Sequence, residues 1–207
     1  KVNLFNAHNG IGIVWSEIRD EVDFDLFYQK FDLEGQIQFD SSGITLLDGV
    51  WTDNYVEGIY STPDSNFILV WVDDIWGAGS LKFQKYNLNG DLTWEYSINS
   101  ENELMHHDFT ILPNGNILTL VWERVLLQDA LDNAIKRESD LFAEKIVEIN
   151  PLTNEIVWQW RSWEHRVQDQ DENLPNYGNV SSEFGKIDFN YNPKENGDIM
   201  HANGIYY

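Results

Sequence analysis

Five histidines, His8, His106, His107, His165 and His201, and no cysteine set the chemistry open to this sequence. Imidazole is the side chain that titrates near neutrality, while a thiolate nucleophile, a disulfide or a Cys-ligated metal is excluded. His107 and His201, 94 positions apart, occupy related places, each just before the opening strand of a repeating unit. In a radial arrangement of such units, residues at the starts of inner strands converge, so the two histidines can share one site. The other reading of each is a hydrogen-bonded structural histidine beside an aromatic strand. The triplet His106-His107-Asp108 has the composition of a zinc site. Neighbouring strand residues point to opposite faces, however, so one strand should not offer both histidines to one ion, and no metal site is expected. Asp20, Asp23 and Asp25 lack the spacing, glycine and terminal glutamate of a calcium loop and read as solvated turn carboxylates. Glu164-His165-Arg166 lies in a long polar connection and reads as surface.

The elements that must position these residues repeat. Three segments share an order: an apolar strand ending in Trp, a second strand, a turn, then a strand ending in an aromatic. GIGIVW leads to LFYQKFDLEGQIQF, SNFILVW to LKFQKYNLNGDLTW, and NGNILTLVW to FAEKIVEINPLTNEIVW. The marker tryptophans Trp15, Trp71 and Trp122 are 56 and 51 residues apart. Period-2 alternation and the turns Glu34-Gly35, Asn89-Gly90 and Asn114-Gly115 predict antiparallel hairpins. Repeats of about 40 to 55 residues built from short antiparallel strands are the mark of propeller blades. The expected fold is all-β, a β-propeller with about four antiparallel blades in view, as part of a larger, six-bladed type. Approximate blades are 1–50, 51–103, 104–163 and a partial 187–207. An open β-sandwich is the competing architecture.

The third copy is longer. Trp122 to Glu144 is 22 residues, where Trp15 to Gln29 and Trp71 to Gln84 are 14 and 13. The surplus LLQDALDNAIKRESD, apolar at Leu127, Leu131, Ala134 and Ile135, predicts a short helix. A second long connection, Trp163 to about Lys186, is polar and predicts a surface loop.

Composition narrows the partners. Lys and Arg total 13 against 35 Asp and Glu, a formal charge of −22, and residues 31–81 contain no Lys or Arg. Such a surface repels phosphate backbones and anionic membranes, so nucleic acid is not expected as a partner. No apolar run approaches the roughly 20 residues of a membrane span, and the start KVNLFNAHNG lacks the build of a signal peptide. Both ends read as cut, so the propeller is expected to be completed by further chain or by a partner chain.

Several ordered blocks between residues 104 and 207 carry a resemblance. They are LMHHDFTILPNGN, EINPLTNEIVWQW, EHRVQDQDENLPNYG, and the closing Asp198-x-x-His201-x-Asn203. Together they resemble the bacterial arylsulfate sulfotransferases. The first half, with IVWSEIRD and DLFYQKFDLEGQIQF, is similar to blade repeats of secreted Bacteroidetes-type proteins. The resemblance implies transfer of a sulfuryl group from an aryl sulfate to a phenol through a sulfated histidine, with no cofactor and a small phenolic or aryl sulfate substrate. It implies His107 and His201 as catalytic residues and Asn203 as substrate-binding, in a secreted, periplasmic or cell-surface protein. The family's nucleophilic histidine and a sulfate-binding arginine lie further along than Asn203, outside these residues. A noncatalytic secreted or cell-surface propeller for adhesion or glycan binding is the alternative. It predicts His107 and His201 far apart or buried, where the enzyme predicts them in one pocket.

Overall fold

The computed structural model describes residues 2–19, 24–48, 53–74, 79–191 and 197–207. The chain divides into two compact units, Lys1–Ile98 and Asn99–Tyr207. The first unit holds two four-stranded antiparallel sheets. One is formed by β1 (Val2–Asn6), β2 (Gly10–Glu17), β3 (Asp25–Asp32) and β4 (Ile44–Leu47). The other is formed by β5 (Asp53–Ser61), β6 (Phe67–Asp74), β7 (Ser80–Tyr86) and β8 (Leu92–Tyr96). In both sheets the strands lie side by side in chain order, each hairpin pairing with the next.

One core joins these sheets. Phe5, Val14, Leu26 and Tyr28 of the first sheet pack with Val56, Phe67, Leu69 and Tyr86 of the second. The Phe5 and Phe67 rings lie 4.6 Å apart, and Phe67 stacks on Tyr86 at 5.5 Å. The phenols find acceptors across the core: Tyr28 donates to the Leu88 carbonyl at 3.4 Å and Tyr86 to the Leu46 carbonyl at 3.3 Å. Burial pushes the Tyr28 phenol up to about 12.

The second unit repeats the four-strand plan in β9 (Glu103–Ile111), β10 (Ile117–Val125), β11 (Leu141–Asn150) and β12 (Glu155–Arg161). The repeated tryptophans each sit on the second strand of a sheet, β2, β6 and β10. The hairpins β3–β4, β7–β8 and β11–β12 share one turn chemistry. The side-chain oxygens of Asp32, Asn87 and Asn150 accept the backbone N–H of Glu34, Asn89 and Leu152 respectively. Alternating apolar residues and these turn residues thus account for the sheets, and the expected all-β fold with few helices is what the chain adopts.

The insertion of the third copy forms helix α1 (Leu127–Asp132), whose first turn is fixed by Asp140 Oδ1 accepting from the Leu127 N–H at 2.7 Å. The helix is shorter than the predicted stretch, and not all of its spaced apolar residues turn inward. Ala130 and Ile135 are buried, whereas Leu131 is exposed. They pack with Val125, Leu141, Ala143 and Phe189 against one face of the third sheet.

The long connection after β12 begins with a 3-10 turn (Ser162–His165) and then β13 (Arg166–Val167), which pairs in parallel with β14 (Ile187–Asp188). The expected fourth antiparallel blade from residue 187 is therefore not formed as such among the described residues. A two-residue parallel pair and a tail stand in its place. The loop itself is tied down rather than loose. Buried Gln168 accepts the N–H of Gln170 and Asp171 and donates to Asn176 Oδ1 at 3.2 Å. The VQD and PNYG blocks thus fold onto each other. The last described segment, residues 197–207, is without regular secondary structure and runs beside β11, where Phe142 N–H donates to the Gly197 carbonyl at 2.9 Å. Gly197 has φ of 76°, and a Cβ there would meet the Asp140 carbonyl oxygen at 2.4 Å, so only glycine lets the tail approach.

Candidate active site

The site grows from an irregularity in β9. Thr119 faces Phe109, but the next residue, Leu120, faces His106, so His107 and Asp108 are extra residues in a bulge. His107 takes the left-handed φ of 55°. The alternation expected along His106-His107-Asp108 is broken there. The two imidazoles meet edge to face with centroids 5.0 Å apart, and both contact Trp122 of β10. His107 therefore lies within the first strand of the third sheet rather than before it, and the bulge makes its side chain available.

The tail brings the second histidine. Ala202 N–H donates to Glu144 Oε1 at 2.8 Å and Ile205 N–H to Asp108 Oδ2 at 2.9 Å, which pins residues 202–205 over β11 and the bulge. Between Gly197 and Ala202, His201 adopts φ of 50° and places Nε2 3.2 Å from Nε2 of His107. Its Nδ1 lies 2.5 Å from Asp198 Oδ2. An ionised carboxylate only accepts, so His201 carries a proton on Nδ1 and turns Nε2 to His107. A proton on either Nε2 is then within hydrogen-bond reach of the other. The His107 imidazole is held below the ordinary histidine range, first by partial burial, then by the charges of His106 and His201, against the pull of Glu144 and Asp198.

Behind this pair lies a buried polar layer. His106 Nε2 is 3.1 Å from Glu144 Oε2, both side chains are 3% exposed, and the His106 ring stacks on Trp122 at 4.2 Å. Glu144 thereby joins the strand that carries His107 to the segment that carries His201. A cavity of about 350 Å³ opens beside the pair, walled by Leu104, Trp122 and Phe142, with Asp198 and His201 on another side and the 100–103 turn at its rim.

The predicted site residues thus separate. His107 and His201 come together, and His201 lines the cavity. Asn203 is exposed and donates its amide to the His201 carbonyl at 2.8 Å, which places it on the backbone rather than in the cavity wall. Asp198, Glu144 and Trp122 are the additions. Asp198 was within reach of the Asp-x-x-His spacing. Glu144 was marked by the repeat, since the first two copies carry Gln29-Lys30 and Gln84-Lys85 where the third has Glu144-Lys145. His165 takes a structural place, accepting from Trp160 Nε1 at 2.8 Å, while Glu164 pairs with Arg161. Of the acidic triplet, Asp20 and Asp23 lie outside the described residues, and Asp25 is buried at the head of β3 rather than solvated. Among the described residues no three His, Asp or Glu side chains are grouped to hold a metal ion, and no helix is long and apolar enough to cross a membrane.

Fold and site define a protein of repeated four-stranded antiparallel sheets with a paired-histidine centre between the first strand of the third and the tail. The sequence model described as Arylsulfotransferase (ASST) matches residues 8–207. The chain belongs to the arylsulfotransferase family. The match takes in the first half, which by its own residues resembled only blade repeats of secreted proteins. No curated protein matches the chain. Among solved structures, it is similar to an endo-arabinase from Bacteroides thetaiotaomicron VPI-5482 at 12% identity and a TM-score of 0.40. That likeness covers 76% of this chain and 61% of the arabinase chain.

Proposed function

We propose that the chain forms the His107–His201 part of an arylsulfotransferase-like enzyme, which moves a sulfuryl group from an aryl sulfate to a phenol. The observation that carries this reading is the 3.2 Å approach of two histidines 94 residues apart, the second oriented by Asp198. Sulfuryl transfer resembles phosphoryl transfer in its loose transition state, so a protein contributes positioning, donors to the sulfuryl oxygens and a proton for the leaving phenolate. The His107–His201 pair, when protonated, serves the last need. As the S–O bond of the donor breaks, the phenolate oxygen takes a proton from the imidazolium form of the pair, which is left neutral, and the acceptor phenol later returns one to the same pair. The sulfuryl group rests meanwhile on a nucleophilic histidine supplied from outside these 207 residues. Held below the ordinary histidine range, a protonated His107 is a stronger acid than a free imidazolium.

In this reading the sheets are blades of a propeller, completed by further chain or by a partner, in an exported protein whose acidic surface keeps it soluble. The test uses the complete protein and a chromogenic aryl sulfate. His107→Ala and His201→Ala should each lower transfer by on the order of 10²-fold or more, the scale of losing a general acid or an oxyanion donor. Wild-type rates in both variants, with unchanged circular dichroism, would favour a binding propeller instead.

A further inference from the structure

The cavity beside His201 has features that the histidine pair does not use. Its volume of about 350 Å³ is at the small end of ligand pockets, roughly 300–1,000 Å³, and suits one ring with a short arm. Two of its walls are aromatic, with the Trp122 and Phe142 rings 6.5 Å apart and inclined at 49°, and Leu104 adds an aliphatic side. The rim is a defined turn. The Ser100 hydroxyl accepts the N–H of Asn102 at 3.3 Å and of Glu103 at 3.0 Å, and Arg124 N–H donates to the Asn102 carbonyl at 2.8 Å.

The charge around this cavity is one-sided. Its lining includes Glu101, Glu103 and Asp198 and no Lys or Arg. The nearby cations are engaged: Lys145 pairs with Glu103 at 2.6 Å and Arg124 with Asp140 at 2.6 Å. Lys145 neutralises Glu103, and Asp198 is turned to His201, which leaves the exposed Glu101 as the charge at the mouth.

We propose that this cavity seats the ring of a para-substituted phenol, hydroxyl toward His201, and prefers a cationic para arm over an anionic one. This rests on the sulfuryl-transfer reading for its hydroxyl end, while the ring seat and the charge preference rest on the cavity itself. An ammonium arm meets the Glu101 carboxylate, and a carboxylate arm meets like charge in an already acidic field.

Binding measured without any sulfate donor separates the two readings. Isothermal titration of the full chain at low salt, pH 7, would use tyramine, 4-ethylphenol and 3-(4-hydroxyphenyl)propionate, which share a ring and differ in the charge of the arm. The expected order is tyramine, then ethylphenol, then the propionate, with steps of about three- to tenfold, the scale of one solvent-exposed charge contact. Glu101→Gln should narrow the gap, leaving the part set by the surrounding acidic field, without moving ethylphenol. Phe142→Ala should weaken all three by about tenfold through the lost aromatic wall, and Phe142→Leu by less. Equal affinities, or the propionate binding tightest, would overturn the charge preference. Unchanged ethylphenol affinity in both Phe142 variants would overturn the seat. Ordered binding in a protein that transfers no sulfuryl group supports the cavity proposal and removes the reading of the histidine pair.

Discussion

His107 combines three departures from an ordinary strand residue: it is extra in the register, it has a positive φ, and its imidazole is reluctant to protonate. A non-glycine residue in the left-handed region costs on the order of 1 kcal/mol, so the surroundings must hold it there. Thr119 Oγ1 donating to the Asp108 carbonyl at 3.1 Å, and Asp108 accepting from Ile205, supply that hold. The titration gives a signed prediction. The folded value lies below the 6.5 of a free imidazole, so as pH falls the unfolded chain binds this proton first. Its contribution to stability is complete above 6.5 and is lost progressively as pH falls below it toward the folded value. His107→Asn should therefore show a smaller drop in urea midpoint between about pH 7.5 and about pH 5.5 than the parent protein. An equal drop in both would show that His107 does not report on this proton.

At the scale of elements, the third sheet and the tail form a clamp joined through Glu144. Its carboxylate is buried with His106 on one side and the Ala202 N–H on the other. Removing one partner of such a buried pair is costly, so Glu144→Ala should lower stability by about 3–5 kcal/mol in chemical denaturation. Glu144→Gln keeps an acceptor for Ala202 and a hydrogen-bonding group beside His106, and should cost distinctly less. Equal losses for Ala and Gln would make the pair's charge, rather than its geometry, the stabilising feature. The strands of this clamp were legible in the sequence, because alternation and the repeated Trp and turn residues are local signals. Leu131 shows the limit of a local signal, since helical spacing marks it as inward but the short helix leaves it in solvent. Asn203 shows the same limit in a motif: its spacing survives, but its amide is satisfied by its own neighbour's carbonyl. The bulge was not legible at all, because it is decided by how Leu120 and Thr119 choose partners across the strand pair.

Over the whole molecule the net charge of −22 opposes the approach of any anionic sulfate ester. Screening relieves this, since the Debye length falls from about 30 Å at 0.01 M to about 10 Å at 0.1 M salt. Under the proposed sulfuryl transfer, the KM for an aryl sulfate donor should accordingly fall as salt rises over that range, whereas tyramine binding should weaken. A donor KM independent of salt would mean that the site is shielded from the field of the surface. The bulge in β9 bears on how such a molecule can change over time. His107 and Asp108 are two surplus residues, and two is the period of side-chain alternation, so the strand before them and the strand after them keep their inner and outer faces. A one-residue surplus would turn half of β9 inside out; a pair leaves Met105 and Phe109 in the core. An even-numbered insertion thus leaves the surrounding core as it was while adding His107 to a strand that already packs.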